Sequence, residues 1–164
     1  MIKIAVSACL LGKKVRYDGS HKFINLTDYF KPQTYQLIAI CPEVEMGMPV
    51  PREPIQIINI DNHISLTQVK NNRIDHSEQM KHWFHNNNHN FKKYAGYILK
   101  SKSPSCGNQT TPHFKESQEL FLADGFFVHL LKSHYPNVAI IDETSLANKK
   151  HLSEFTNKLK ITLP

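Results

Sequence analysis

Tyr97, Ile98, Leu99, Lys100, Ser101, Lys102, Ser103, Pro104, Ser105, Cys106, Gly107 is an apolar run that stops abruptly and hands over to small, polar, turn-forming residues around a cysteine. It reads as a buried strand delivering a thiol to a loop at its carboxyl end, with Gly107 freeing the backbone just past the sulfur. The arrangement recurs twice. Lys3 to Ser7 is a short apolar run followed by Ala8 and Cys9, and Leu37 to Ile40 is another, followed at once by Cys41, Pro42 and Glu43. All three cysteines of the chain stand in this one context. In an open parallel sheet, side chains just past the carboxyl ends of neighbouring strands converge on one crevice. The pattern therefore predicts an α/β fold: a mostly parallel sheet with flanking helices, in a Rossmann-like three-layer arrangement. Three thiols can meet there although 31 residues separate Cys9 from Cys41 and 64 separate Cys41 from Cys106.

With 164 residues, 40% of them apolar, the chain is long enough for a single domain over residues 1–164 with one core. No run approaches the length of a membrane span, and Met1 to Val6 lacks the long apolar segment of a signal peptide, so a cytoplasmic protein without a membrane partner is expected. An odd number of cysteines in a reducing compartment points away from disulfides. The balance of 20 basic and 14 acidic residues, +6, is spread along the chain without a Lys/Arg block. A solvated surface is the better reading of it, and a nucleic-acid partner is not expected. The oligomeric state is open.

Residues 2–8 read as a first strand buried on both faces, followed by a polar loop with Gly12 and Gly19. Asn25 or Thr27 can start a short helix through Lys31, and a second strand spans Gln36 to Ile40. From Cys41 to Pro54, four prolines and a glycine exclude a regular helix or a central strand. Ile55 to Ile60 and His63 to Val69, separated by Asp61 and Asn62, look like a hairpin or an extended excursion. Asp75 with Glu78 has the form of a capping box for a helix over 76–94. On that helix His82, His85 and His89 share a face, near His76, but their Asn neighbours argue for a solvated surface rather than a metal site. Asn108 to Glu119 reads as irregular. A helix opening at Asp124 or Gly125, a last strand over Val138 to Ile141, and a C-terminal helix and tail over 145–164 complete the chain.

The cysteines admit three readings: small buried hydrophobes, ligands of a metal or cluster, or a catalytic thiol. No C-x-x-C pair is present and a fourth zinc ligand is not evident. Three thiolates do suit an incompletely ligated iron–sulfur cube whose fourth iron stays open.

Val6 to Gly12, then Val15 to Gly19, then Cys41, Pro42, Glu43, Val44, Gly47, Pro51, Arg52 and Pro54, and finally Leu99, Lys100 and Ser103 to Gly107 resemble, in order, the signature blocks of the thiouracil desulfurase family. The resemblance implies a 4Fe-4S cluster held by Cys9, Cys41 and Cys106, with the open iron taking the sulfur of a small thiolated substrate such as 2-thiouracil. It also implies the reaction, in which C=S becomes C=O with sulfide released, a net hydrolysis without redox change. On this pattern Glu43 is the candidate base for water and Ser103 the second catalytic residue. Arg16, Asp18 and Ser105 are candidate substrate contacts, with Arg52 and Lys100 as supporting charge. Each has a plainer reading: Glu43 paired with Arg52 or Arg16, Asp18 and Arg16 as a loop-fixing ion pair, Ser105 as a turn former. The competing function is a cluster- or metal-containing module that binds or carries sulfur species without turnover.

Overall fold

The computed structural model describes residues 1–161, and the tail expected beyond them lies outside the described residues. Strands β1 (Ile2–Ser7), β2 (Tyr35–Ile40), β5 (Gly96–Leu99) and β8 (Ala139–Asp142) form a sheet in the order β2-β1-β5-β8, every neighbouring pair parallel. The central strands carry apolar residues on both faces because both faces are covered. Ala5, Tyr97 and Leu99 join one apolar cluster with helices α2 (Ser77–Phe91) and α3 (Phe126–His134). Ile4, Val6 and Ile98 face the other way, into a cluster closed by Phe155 and Leu159 of α4 (Lys149–Ile161). This is the expected three-layer single α/β domain. No helix among the described residues is long and apolar enough to cross a membrane.

A second sheet departs from the sequence reading. Hairpins β3 (Ile55–Ile60) with β4 (His63–Gln68), and β6 (Thr111–Lys115) with β7 (Gln118–Ala123), join through parallel β3–β6 pairing into the order β4-β3-β6-β7. The first hairpin is legible because its turn residues, Asp61 (φ 51°) and Asn62 (φ 66°), belong to the types that tolerate left-handed backbone. The second, expected to be irregular, turns at Glu116 (φ 50°) and Ser117 (φ 66°), which carry no such signal. Its inward residues, Thr111 and His113, are polar, so the alternation is hidden as well. His113 is nonetheless satisfied: Asn59 Nδ2 lies 3.1 Å from Nδ1 and the Asp124 carbonyl 2.8 Å from Nε2.

Two local expectations are also corrected. Asp75 accepts a 2.7 Å bond from Ser77 N and shapes the turn before α2, while Glu78 pairs with Lys81, so no capping box forms. Within the proline-rich segment one helical turn does form, α1 (Pro42–Glu45), because proline is tolerated in the first turn, where its missing N–H costs nothing.

Both hairpins leave the main sheet just after a cysteine segment, β3 after Cys41 and β6 after Cys106. The β3–β6 pairing therefore ties two cysteine loops to a common wall.

Candidate active site

Cys9 sits in a 3-10 turn over Ala8–Leu11 directly after β1, closed by Gly12 in the left-handed conformation (φ 87°). Cys41 is the residue before α1, and its backbone N–H donates to Glu45 Oε1 at 2.9 Å. Cys106 lies in the loop after β5, folded around Ser103. The Ser103 hydroxyl accepts from the N–H groups of Ser105 (3.2 Å) and Cys106 (3.0 Å), and its carbonyl accepts from Gly107 N (2.9 Å) and Thr111 Oγ1 (2.6 Å). Helix α3 locks this loop from below. Phe126 N donates to Pro104 O at 2.8 Å and Phe127 N to Ser105 O at 3.0 Å, so loop carbonyls satisfy the helix's otherwise orphaned donors.

The three sulfur-bearing segments line one cavity of about 330 Å³ together with Arg16, Lys22, Glu43, Arg52, Lys100, Lys102, Ser103 and Ser105. Cys9 and Cys106 are buried and Cys41 is nearly so. Burial raises all three thiols above their ordinary range, Cys41 to about 11. For Cys106 the neighbouring thiols add to the rise, against a hydrogen bond with Ser7. Such a pocket disfavours bare thiolates and favours a cationic centre that neutralises them.

The donor set bears on which centre fits. One zinc would need its sulfurs about 2.3 Å from a single point. Among the described residues no three His, Cys, Asp or Glu side chains close round a point in that way. Three thiols distributed about a larger cavity would suit a polynuclear cluster. His82, His85 and His89 stand exposed on α2, away from the cavity.

Glu43 is held at both oxygens. Arg52 meets Oε2 through Nη2 (2.7 Å) and Nε (2.8 Å), and the Ser105 hydroxyl donates to Oε1 at 2.8 Å. Arg52 is in turn fixed by the Val15 carbonyl at 2.9 Å. The pair is mostly buried, with 5% of the Arg52 and 12% of the Glu43 side chain exposed. Ser105, expected as a turn former or a substrate contact, is thus a neighbour of the carboxylate.

Arg16 lines the cavity, whereas Asp18 is not among the residues that line it. Asp18 Oδ1 is occupied by Ser20, accepting from its N–H (3.0 Å) and hydroxyl (2.6 Å), and those bonds lower its pKa. Arg16 donates to Ser20 Oγ instead, at 3.1 Å.

Glu143, directly after β8, was missed by the sequence reading. Its Oε1 accepts from Lys100 Nζ (2.5 Å) and Ser101 Oγ (2.8 Å), and its Oε2 from Ser101 N (2.7 Å). Burial works against its charge, but these bonds outweigh burial and hold the carboxyl below its ordinary range. The rule that selects the cysteines, a reactive residue just past a strand's carboxyl end, also selects Glu143.

A family model described as 2-thiouracil desulfurase matches residues 4–143, which include every cavity residue named above. The chain belongs to the 2-thiouracil desulfurase family. Helix α4 lies outside the matched region. An uncharacterized protein of Bacillus subtilis (strain 168), YbbK, is 32% identical over 115 residues, which cover 64% of this chain and 73% of that protein. A solved structure described as the [4Fe-4S]-dependent thiouracil desulfidase TudS superposes with a TM-score of 0.70 at 27% identity, over 98% of this chain and 99% of that one. The likeness to that structure runs over nearly the whole of both chains.

Proposed function

We propose that the protein replaces the C=S of a thiolated pyrimidine, of the 2-thiouracil kind, by C=O with release of sulfide and without redox change, using a 4Fe-4S cluster held by Cys9, Cys41 and Cys106. The reading is carried by one observation: three thiols, two of them buried, and a doubly anchored carboxylate, Glu43, line the same cavity in a member of this family. When bound, the cluster supplies an iron without a protein ligand, a sulfur-seeking Lewis acid that makes the C=S carbon more electrophilic.

The chain's own residues supply the rest. Beyond the Arg52–Glu43 and Lys100–Glu143 pairs the cavity wall carries Arg16, Lys22 and Lys102, a basic surplus suited to a net-anionic cluster. Glu43 takes one proton from water as the oxygen attacks the C=S carbon; the C–S bond then breaks as C=O forms, and the sulfur leaves as hydrosulfide carrying the second proton. Arg52 and Ser105 fix the orientation of this carboxylate, Arg52 occupying Oε2 twice, while Oε1 keeps a lone pair for water. Ser103 spends its acceptor capacity on the cysteine loop and keeps its hydroxyl proton to donate to water or substrate. Arg16, which lines the cavity, donates to a polar edge of the ring in this reading.

The test is Glu43→Gln in protein reconstituted with iron and sulfide without oxygen. The carboxamide oxygen can still accept from Arg52, so iron content should match wild type while sulfide release from 2-thiouracil falls about 100-fold or more. Wild-type turnover in that variant, or absence of label in uracil formed in ¹⁸O-water, would overturn the reading.

A further inference from the structure

Tyr17 is the one aromatic side chain among those that line the cavity, and the proposed reaction gives it no part. It stands on the outer wall: 42% of it is exposed, against 8% for Cys9 and 5% for Cys106 deeper in. Other tyrosines pack their rings on neighbouring rings, Tyr29 and Tyr35 on Phe30 and Tyr94 on Tyr97. Among the described residues Tyr17 has no ring partner, and the Arg16 guanidinium lies over it, 5.8 Å from the ring centroid. The backbone beneath this unpaired ring is nevertheless held. Arg52 N donates to Tyr17 O at 2.8 Å, Arg52 Nη2 to Val15 O at 2.9 Å and Gly19 N to Arg16 O at 2.8 Å, with Gly19 in the left-handed conformation (φ 76°) at the turn.

We infer that Tyr17 is a specificity-determining residue that stacks on the heterocyclic ring of the substrate and selects planar, unsaturated rings. The identity of that ring rests on the proposed reaction. Arg52 joins the two parts of the site. The guanidinium that anchors Glu43 also holds Val15 O, and the Arg52 backbone holds Tyr17 O, so the aromatic ring and the carboxylate sit in one frame. A ring stacked on Tyr17 therefore meets Glu43 in a fixed relation. A pyrimidine has two π faces and a polar edge, and an aromatic side chain recognises the face whichever edge atom carries sulfur. Tyr17 takes the face while Arg16 takes the edge. Stacking of this kind holds substrate and transition state alike, so its loss raises KM and leaves kcat in place.

Equilibrium dialysis of uracil, the product, against reconstituted protein tests it, because binding needs no turnover. Tyr17→Phe, which keeps the ring, should bind uracil like the wild type, and Tyr17→Leu, which keeps the bulk, about tenfold more weakly or worse. Dihydrouracil has the same edge atoms on a saturated, puckered ring. It should bind the wild type more weakly than uracil and lose that disadvantage in Tyr17→Leu. Iron content and melting temperature should be the same in all three proteins, and with 2-thiouracil Tyr17→Leu should raise KM with kcat within about twofold of wild type. Equal uracil binding by wild type and Tyr17→Leu, a preference for uracil over dihydrouracil that Tyr17→Leu keeps, or a fall in kcat at unchanged KM overturns the inference. Uracil binding in the expected order by protein that releases no sulfide supports the stack and overturns the proposed reaction alone.

Discussion

Replacing Gly125 by Ala should strip the site of its iron while leaving the chain folded. A Cβ at Gly125 would lie 2.6 Å from both the carbonyl carbon and oxygen of Ser105 and 2.9 Å from Gly107 N. Ordinary contact begins near 3.4 Å, so the loop backbone must retreat by 3.4 − 2.6, or 0.8 Å. The backbone of Gly125 (φ −65°, ψ 163°) is one any residue adopts, so the effect is purely steric. What retreats is the loop that carries Cys106, and with it the three bonds from Gly125, Phe126 and Phe127 N–H to loop carbonyls. Overpacking of this kind costs about 1–3 kcal/mol. For a chain of this length that lowers the melting temperature by roughly 2–12 °C. Gly96→Ala is the matched control, since its Cβ would meet Leu159 at 2.4 Å and Phe155 at 3.1 Å, against α4 and far along β5 from the cavity. Anaerobic reconstitution, iron assay and thermal melts of both variants should show comparable destabilisation, with iron lost only from Gly125→Ala. Full iron retention in Gly125→Ala would refute the claim that α3 holds Cys106 in place.

Ser105→Ala should keep its iron and lose turnover, because Glu43 Oε1 loses its donor; Ser103→Ala should lose both, because Cys106 N and Ser105 N lose their acceptor. Iron counts and sulfide release on the two variants separate these outcomes. For Glu143 the sign of the pH effect follows from its lowered pKa. Its contribution to stability is complete above the ordinary value of 4.5 and is lost as pH falls through the lower folded value. Denaturant melts should therefore show wild type above Glu143→Gln at neutral pH, the gap closing on acidification below about pH 4.5. A gap that widens in acid would mean that the carboxylate is not stabilised by Lys100 and Ser101.

The meeting of the cysteines was legible because it depends on one rule, the convergence of strand ends, and each thiol directly follows or closely trails an apolar run. Glu43 was legible for the same reason, two residues beyond Cys41. The partners that fix these residues were less so. Ser105 donating to Glu43 depends on how the loop after β5 curls around Ser103, and Asp18 turning back on Ser20 depends on a local turn that competes with any pairing to Arg16. The β6–β7 hairpin stayed hidden because its turn is made by Glu116 and Ser117 and its buried face by Thr111 and His113. Polar residues fill those inward positions because they are satisfied there, His113 by Asn59 and the Asp124 carbonyl and Thr111 by the Ser103 carbonyl, a compensation that no periodicity reveals.

The central claim is most directly tested by counting products and cofactor together. Protein reconstituted with iron and sulfide under argon is assayed for bound iron and then given 2-thiouracil with no electron donor. The account predicts about four irons per chain and one sulfide for each uracil formed, over many turnovers. Reconstituted protein that binds no iron, or turnover that stops without an added reductant, would contradict it.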